Sequence, residues 1–322
     1  MHLPDGFLDT KTAVLSAGAA AVGLGLAVRR VKSVLEPRQT PLLGLAAAFV
    51  FAAQMLNFPI VGGTSGHLLG GVLVSVLLGP APAVLVLTCV LIVQCLLFAD
   101  GGVLALGANV FNIAVVNVVG GSFVFSALKR LVPMESSRRI VFAAAFAAWA
   151  GMVLAAVTCA GQLALSGTVA WRAVFPAMTG IHMLVGLGEA LATGIITAAV
   201  LKHRPLLVAG SEPSRQLGTV PAWGYGLLLS AGMAIFVAPH ACSWPDSLAA
   251  VARKLGFAGQ GNASMLQTPF ADYQLPFLNS PGTATAIAGT LGTLIAFVTA
   301  YTLSRLLVPA LGLPKKDAPS RS

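Results

Sequence analysis

A chain of 322 residues that is 57% hydrophobic, 9% charged and net +9 cannot cover itself with the polar surface of a soluble domain, where about 25% of residues are charged. Composition excludes a water-soluble globule and sets the expectation of an all-α, polytopic transmembrane helical bundle. The excess of positive charge follows from basic cytoplasmic loops and contact with anionic lipid. No interleaving of basic and aromatic residues argues for nucleic acid.

The first ten residues, MHLPDGFLDT, hold two carboxylates and lack the basic start, apolar core and small-residue cleavage site of a secretory leader. The N-terminus is therefore expected to be retained, with Met1 untrimmed ahead of the bulky His2. Crossing a hydrocarbon core of about 30 Å takes roughly 17 to 25 apolar residues. Nine candidate spans follow, near 12–28, 41–58, 67–79, 82–98, 103–128, 140–165, 174–201, 221–239 and 285–308. The third is short and opens in a glycine-rich stretch. Irregular backbone is allowed at membrane depth where protein buries it, so residues 58–67 read as a loop that dips inward.

Basic clusters occur at Arg29, Arg30, Lys32 and Arg38, at Lys129, Arg130, Arg138 and Arg139, at Lys202 and Arg204, and at Lys315 and Lys316. Each ends an odd-numbered span. Cytoplasmic loops carry the excess of Lys and Arg, which puts the N-terminus and the loop ending at His67 outside and the tail in the cytoplasm of a multi-pass cell-membrane protein. Three parts follow: a seven-span membrane domain over 1–205, a polar linker over 206–220, and a two-span hairpin over 221–322 with an outer loop at 240–284.

The chemistry starts at the chain's first two residues. The amine of Met1, the backbone nitrogen of His2 and a ring nitrogen of His2 can close fused chelate rings and fill three corners of a square. His67, in the run Gly62-Gly63-Thr64-Ser65-Gly66-His67, is the best-placed fourth donor. An all-nitrogen square suits Ni(II) and Cu(II), whereas Mg and Ca want oxygen and Zn a tetrahedron. Affinity for such an ion falls with acid, because every donor must lose a proton.

His182 and Glu189 lie seven apart and share one helix face. They read either as a polar pair knitting helices together or as support behind a ligand, since a ligating imidazole donates its other N–H to a carboxylate, carbonyl or water. Asp5 has the same two readings, with capping favoured. Thr64 and Ser65 offer hydroxyls to orient an inserted N-terminus, while Gly62, Gly63 and Gly66 serve either a tight turn or close packing against it. Gln54, Asn57, Gln94, Asn109, Asn112 and Asn117 read as interhelical hydrogen-bonding glue. Cys89, Cys95 and Cys159 sit in apolar spans as small hydrophobes, and Cys242 is alone in the outer loop. On the first span Ala13, Ala17 and Ala21, with Gly18, Gly23 and Gly25, form a small-residue face for close helix contact.

Several separated segments then carry a resemblance. They are Met1-His2-Leu3-Pro4-Asp5-Gly6-Phe7-Leu8, Asn57-Phe58-Pro59-Ile60 running into Gly62 to Gly71, Leu106-Gly107-Ala108-Asn109, and His182 with Glu189-Ala190. Over about residues 1–205 the chain resembles the substrate-binding components of energy-coupling factor transporters for nickel and cobalt, the CbiM/NikM family. The resemblance implies that the first residues thread into the bundle and that Met1, His2 and His67 hold Ni2+ or Co2+ as transported substrate, with no permanently bound cofactor. It implies a transmembrane coupling subunit and ATP-binding subunits as partners, to which the small-residue face of the first span would dock. It allows both metals, with nickel favoured by the nitrogen square. The C-terminal hairpin resembles the accessory subunit that some members carry as a fusion. Pro245-Asp246-Ser247-Leu248-Ala249 departs from its Pro-Asp-Gly-Leu-Glu signature at two positions, and Phe270-Ala271-Asp272-Tyr273 fits its downstream segment.

The chain has no Gly-x-x-x-x-Gly-Lys-Ser/Thr phosphate loop, so energy would come from partners and the chain is expected not to be an enzyme. Two rival readings remain. Gly63-Thr64-Ser65-Gly66 fits the Gly-x-Ser-Gly pattern of intramembrane serine proteases, with His182 as base. A passive cation channel is the other, although conduction requires sites weak enough to leave.

Overall fold

A computed structural model describes residues 1–203, 221–261 and 266–307; the expected linker and basic tail lie outside them. The first helix, α1 (Thr10–Val34), starts where the Asp9 carboxylate accepts the Thr12 N–H at 3.1 Å, a side-chain cap for an otherwise orphaned donor. Its buried stripe is small and polar, Thr12, Ser16, Ala20, Ala27 and Val31. Val14, Leu15, Val22 and Leu26 point outward, as lipid-facing residues do.

The expected second span is cut short. Helix α2 (Thr40–Gln54) stops ahead of Asn57-Phe58-Pro59, and the chain turns into two short strands, β1 (Phe58–Ile60) and β2 (Thr64–Gly66). They pair antiparallel, Phe58 with Gly66, Pro59 with Ser65 and Ile60 with Thr64. Gly62 and Gly63 make the turn between them with φ of 89° and 71°, backbone that glycine adopts without steric cost. Nothing packs on them, so the tight-turn reading describes these two.

The third expected span does not exist as a crossing. Residues His67 to Gly70 are not helical, and α3 (Gly71–Leu78) has only eight residues, about 12 Å at 1.5 Å per residue. The irregular backbone survives at depth because side chains satisfy it. Glu189 accepts the N–H groups of Leu69 at 2.7 Å and Gly70 at 2.8 Å, and Gln54 donates to the Leu69 carbonyl at 2.9 Å. Gln94 in turn donates to Gln54 at 2.9 Å. The chain then continues as α4 (Pro80–Phe98).

Leu106–Leu131 forms one run: α5 (Leu106–Asn109), wide π turns over Val110–Val116, and α6 (Asn117–Leu131). Two long antiparallel neighbours follow, α7 (Ser136–Leu165) and α8 (Trp171–His203). The C-terminal part holds α9 (Pro221–Gly232), α10 (Ser247–Leu255) and α11 (Pro281–Leu307). Among the described residues six helical runs are long and apolar enough to cross a membrane, and Thr40–Gln54 and Gly224–His240 are shorter apolar helices. Of the nine expected spans, 67–79 alone has no apolar helix of crossing or near-crossing length among the described residues, because an apolar run is also what a buried, re-entrant segment needs.

The hairpin is built into the bundle. Helix α11 lies along α2, and small residues set the approach: Gly292 faces the rings of Phe51 and Phe98, Gly289 faces Met55, and Gly44 faces Phe297. Phe51 and Phe98 are fully buried, with Leu85, Leu87, Leu91 and Ile113 in the same core.

Candidate metal site

The first seven residues enter the bundle. The Leu3 N–H donates to Asn109 Oδ1 at 2.7 Å, Asn109 Nδ2 returns a bond to the Leu3 carbonyl at 3.0 Å, and Gly102 N donates to the same carbonyl at 2.9 Å. Asp5 accepts three backbone N–H groups, from Leu104 at 2.8 Å, Val103 at 3.2 Å and Ala105 at 3.3 Å. These donors precede the helix that starts at Leu106, so Asp5 acts as its cap, as capping carboxylates do. Gly101, at φ 96°, lets the 100–102 loop pass beside His2 and Asn109, and Gly102 lies against Asp5 with no room for a side chain. Met1 is 2% exposed and Leu3 fully buried.

The amine of Met1 donates to His67 Nε2 at 2.8 Å and to Asp246 Oδ2 at 3.0 Å. The rings of His2 and His67 are parallel within 2°, with centroids 5.3 Å apart. His67 Nδ1 bonds the Leu68 carbonyl at 3.0 Å, which assigns the proton to Nδ1 and leaves Nε2 as the acceptor. His2 Nδ1 lies 2.9 Å from Asp100 Oδ1, and its Nε2 is buried with no partner among the described residues. Tyr273 donates its hydroxyl to the other oxygen of Asp100 at 2.8 Å.

Burial pushes the His67 ring down to about 3, helped by the Met1 ammonium and His2 and opposed by Asp100, so the ring is neutral and its Nε2 lone pair is available. Burial works against the Asp100 carboxylate, but His2, His67 and the Tyr273 hydroxyl outweigh it and hold the group below the usual carboxylate range. Asp246 is lowered likewise: the Met1 ammonium and the Ala249 N–H overcome burial. Burial first and Asp100 second raise the Tyr273 phenol, which stays a donor.

No three His, Cys, Asp or Glu side chains among the described residues converge into a cage. The Met1 amine, buried against His67 and Asp246, offers a cation a main-chain nitrogen beside the side chains. Two nitrogens bound at right angles, each about 2.0 to 2.1 Å from one ion, lie about 2.8 to 3.0 Å apart. The amine and His67 Nε2, 2.8 Å apart, already have that spacing. That spacing fits a nitrogen-bound divalent cation as substrate.

The other residues singled out in the sequence take different places. Thr64 Oγ1 donates to the Pro245 carbonyl at 3.1 Å, and Ser65 Oγ to the Trp244 carbonyl at 2.8 Å. They hold the 244–247 segment of the hairpin rather than touching the N-terminus. His182 bonds the Met178 carbonyl through Nδ1 at 2.8 Å and Ser247 Oγ through Nε2 at 3.0 Å, which ties the hairpin to α8. Glu189 fixes the backbone just after His67. Ser65 and His182 are each bonded elsewhere, and among the described hydrogen bonds none joins them as nucleophile and base. Asn112 donates to Gln162 at 2.6 Å and Gln162 to Ser16 at 3.1 Å, the interhelical bonding expected of such residues. Asn117 has no partner for either polar atom among the described residues.

Three members of the cluster escape a reading of sequence. Asp100 had a faint signal, an acid followed by two glycines at the end of an apolar run. Asp246 and Tyr273 lie in the two hairpin segments already noted, but only the fold brings them to the first two residues of the chain.

The described residues form a polytopic helical bundle that buries the N-terminal amine beside two imidazoles, and comparison with known proteins places it among metal transport proteins. The chain belongs to the CbiM family: the family model described as "Cobalt uptake substrate-specific transmembrane region" matches residues 2–207. It is 35% identical over 307 residues, 95% of this chain and 98% of the other, to the "Putative fused nickel transport protein NikMN" of Archaeoglobus fulgidus. It is 36% identical to the "Cobalt transport protein CbiM" of Thermosediminibacter oceani, over 62% of this chain and 82% of that one. Among solved structures, a truncated transition metal transporter superposes with a TM-score of 0.58 at 31% identity, covering 63% of this chain and 99% of the other.

Proposed function

We propose that the chain is the substrate-capturing membrane component of an energy-coupling factor transporter, taking up Ni2+ or Co2+ from the extracytoplasmic side. The ion is held by the Met1 amine, the backbone and ring nitrogens of His2, and His67 Nε2. Closing a six-membered chelate ring from the His2 amide uses Nδ1, so the ion takes the place of the proton now shared with Asp100 and that carboxylate becomes its neighbour. The observation that carries the reading is the 2.8 Å approach of the buried amine to the neutral His67 ring. Four nitrogens in a square favour nickel over cobalt in the first-row order.

ATP-binding subunits and a transmembrane coupling subunit supply the energy. On α1, Ala17, Gly18, Ala21 and Gly25 are exposed, a small-residue strip on which a partner helix can approach closely. The N-terminus and the β1–β2 turn face outside and the basic ends of α1, α6 and α8 face the cytoplasm.

Equilibrium binding of Ni(II) and Co(II) to the purified full-length protein tests the site. One residue added before Met1, or His67→Ala, is expected to lower Ni(II) affinity at least 100-fold, a loss of about 2.7 kcal/mol or more at about 1.4 kcal/mol per tenfold. Parent-like binding by either variant would remove the nitrogen site from consideration.

A further inference from the structure

The C-terminal hairpin reaches both residues at the chain's start, by two separate routes. Asp246, at the N-cap of α10, accepts the Ala249 N–H through Oδ1 at 2.7 Å and faces the Met1 amine with Oδ2 at 3.0 Å. One oxygen thus anchors the carboxylate to its own helix while the other addresses the amine. The second route runs from Tyr273 to Asp100 at 2.8 Å and from Asp100 to the His2 ring at 2.9 Å. Tyr273 is seated by its ring, stacked on Phe98 with centroids 4.9 Å apart, and by an uncommon backbone. Asp272 and Tyr273 are consecutive non-glycine residues at φ 52° and 58°, a conformation that costs energy and persists where the surroundings impose it. Asp100 follows Ala99, also left-handed at φ 55°. The two carboxylates are the more open members of a buried cluster, 29% and 28% exposed against 2% for the Met1 amine's residue.

We propose that the hairpin sets the metal affinity of the nitrogen site by holding two carboxylates against it, its own Asp246 at the Met1 amine and, through Tyr273, Asp100 at the His2 ring. The inference rests on the nitrogen site proposed above. A coordinated amine keeps two N–H bonds, so Asp246 goes on accepting one after the ion enters. Asp100 offsets the charge of a dication bound beside it. A carboxylate that goes on accepting from a metal ligand, as Asp246 does from the amine, is worth roughly 10- to 100-fold in affinity when removed; Asp100, whose bond to His2 Nδ1 gives way to the ion, acts through its charge. Asp246 and Tyr273 are positioning residues, and no covalent step is involved.

Ni(II) binding to the full-length protein, measured for Asp246→Asn, Tyr273→Phe and Ser247→Ala, separates positioning from docking. Asp246→Asn keeps the shape and removes the charge. Tyr273→Phe keeps the ring stack and removes one hydroxyl. Ser247→Ala removes a bond that fastens the same loop to His182. The first two are expected to weaken Ni(II) binding about 10- to 100-fold, with Asp246→Glu recovering part of the loss and Ser247→Ala staying within about twofold of the parent. Parent-like affinity in both Asp246→Asn and Tyr273→Phe overturns the proposal, as does an equal loss in all three, which would make the hairpin a plain docking element. His67→Ala run alongside keeps the two readings apart: if it binds like the parent the nitrogen site itself fails, whereas loss there with parent-like hairpin variants sinks the positioning role alone.

Discussion

His67 shows how one side chain couples binding to stability. Its ring titrates ordinarily at 6.5 and in the fold at about 3. Between those values the unfolded chain takes up a proton that the folded chain refuses, so the stability tied to the neutral ring is complete above about pH 6.5 and is lost as pH falls toward 3. Asp100 and Asp246 are held below their ordinary 3.8, and their share is lost only as pH falls below about 4. Thermal melts of the detergent-solubilised protein without metal are expected to show a smaller fall in Tm from pH 6.5 to 4 for His67→Gln than for the parent. Equal falls would assign the acid sensitivity to another group. The meeting of Met1, His2 and His67 was legible because it follows from residue type and from the chain's start. Asp100 was not, since a lone carboxylate at a helix end gives no spacing to read.

At the scale of elements, the N-terminal segment is fastened by Asp5 and Asn109, not by Thr64 and Ser65. Asp5→Ala strands three N–H donors ahead of the Leu106 helix and is expected to cost about 1–3 kcal/mol, the penalty for leaving such groups unmet. Measured by Tm, that loss should come with weaker Ni(II) binding, because the same carboxylate holds residues 103–105, next to the loop that carries Asp100, against the segment. A Tm within error of the parent would show that water replaces the cap at no cost. Apolar periodicity revealed the long helices and even the inward dip of 58–67. It misread 67–79 as a span because eight buried residues of α3 and the extended stretch before it are as apolar as a crossing. The polar groups that make the dip possible, Glu189 and Gln54, lie in other helices.

Across the whole molecule, the hairpin that follows the expected linker packs back on α2 and on the N-terminal site. Contacts between Met1 and Asp246 span 245 residues, and no local pattern encodes such a pairing. The exposed small-residue strip of α1 predicts a partner. Gly18→Leu with Ala21→Leu is expected to abolish co-purification of the coupling subunit while leaving Ni(II) binding within about twofold, since the space at Gly18 is open, and retained co-purification would move the docking surface elsewhere. In the sidedness of the bundle, a single cysteine at Val61 should label from outside in intact cells and one at Ser33 only after permeabilisation. The reverse pattern would invert the assigned orientation.

Interment of the Met1 nitrogen also makes the site sensitive to a single acyl group. An acetyl cap would replace a cationic donor by a neutral amide and leave Asp246 without the charge it faces. Protein acylated at Met1 is therefore expected to seat its leading segment poorly beside Gly101 and Asn109 and, on the site proposed above, to stay empty-handed.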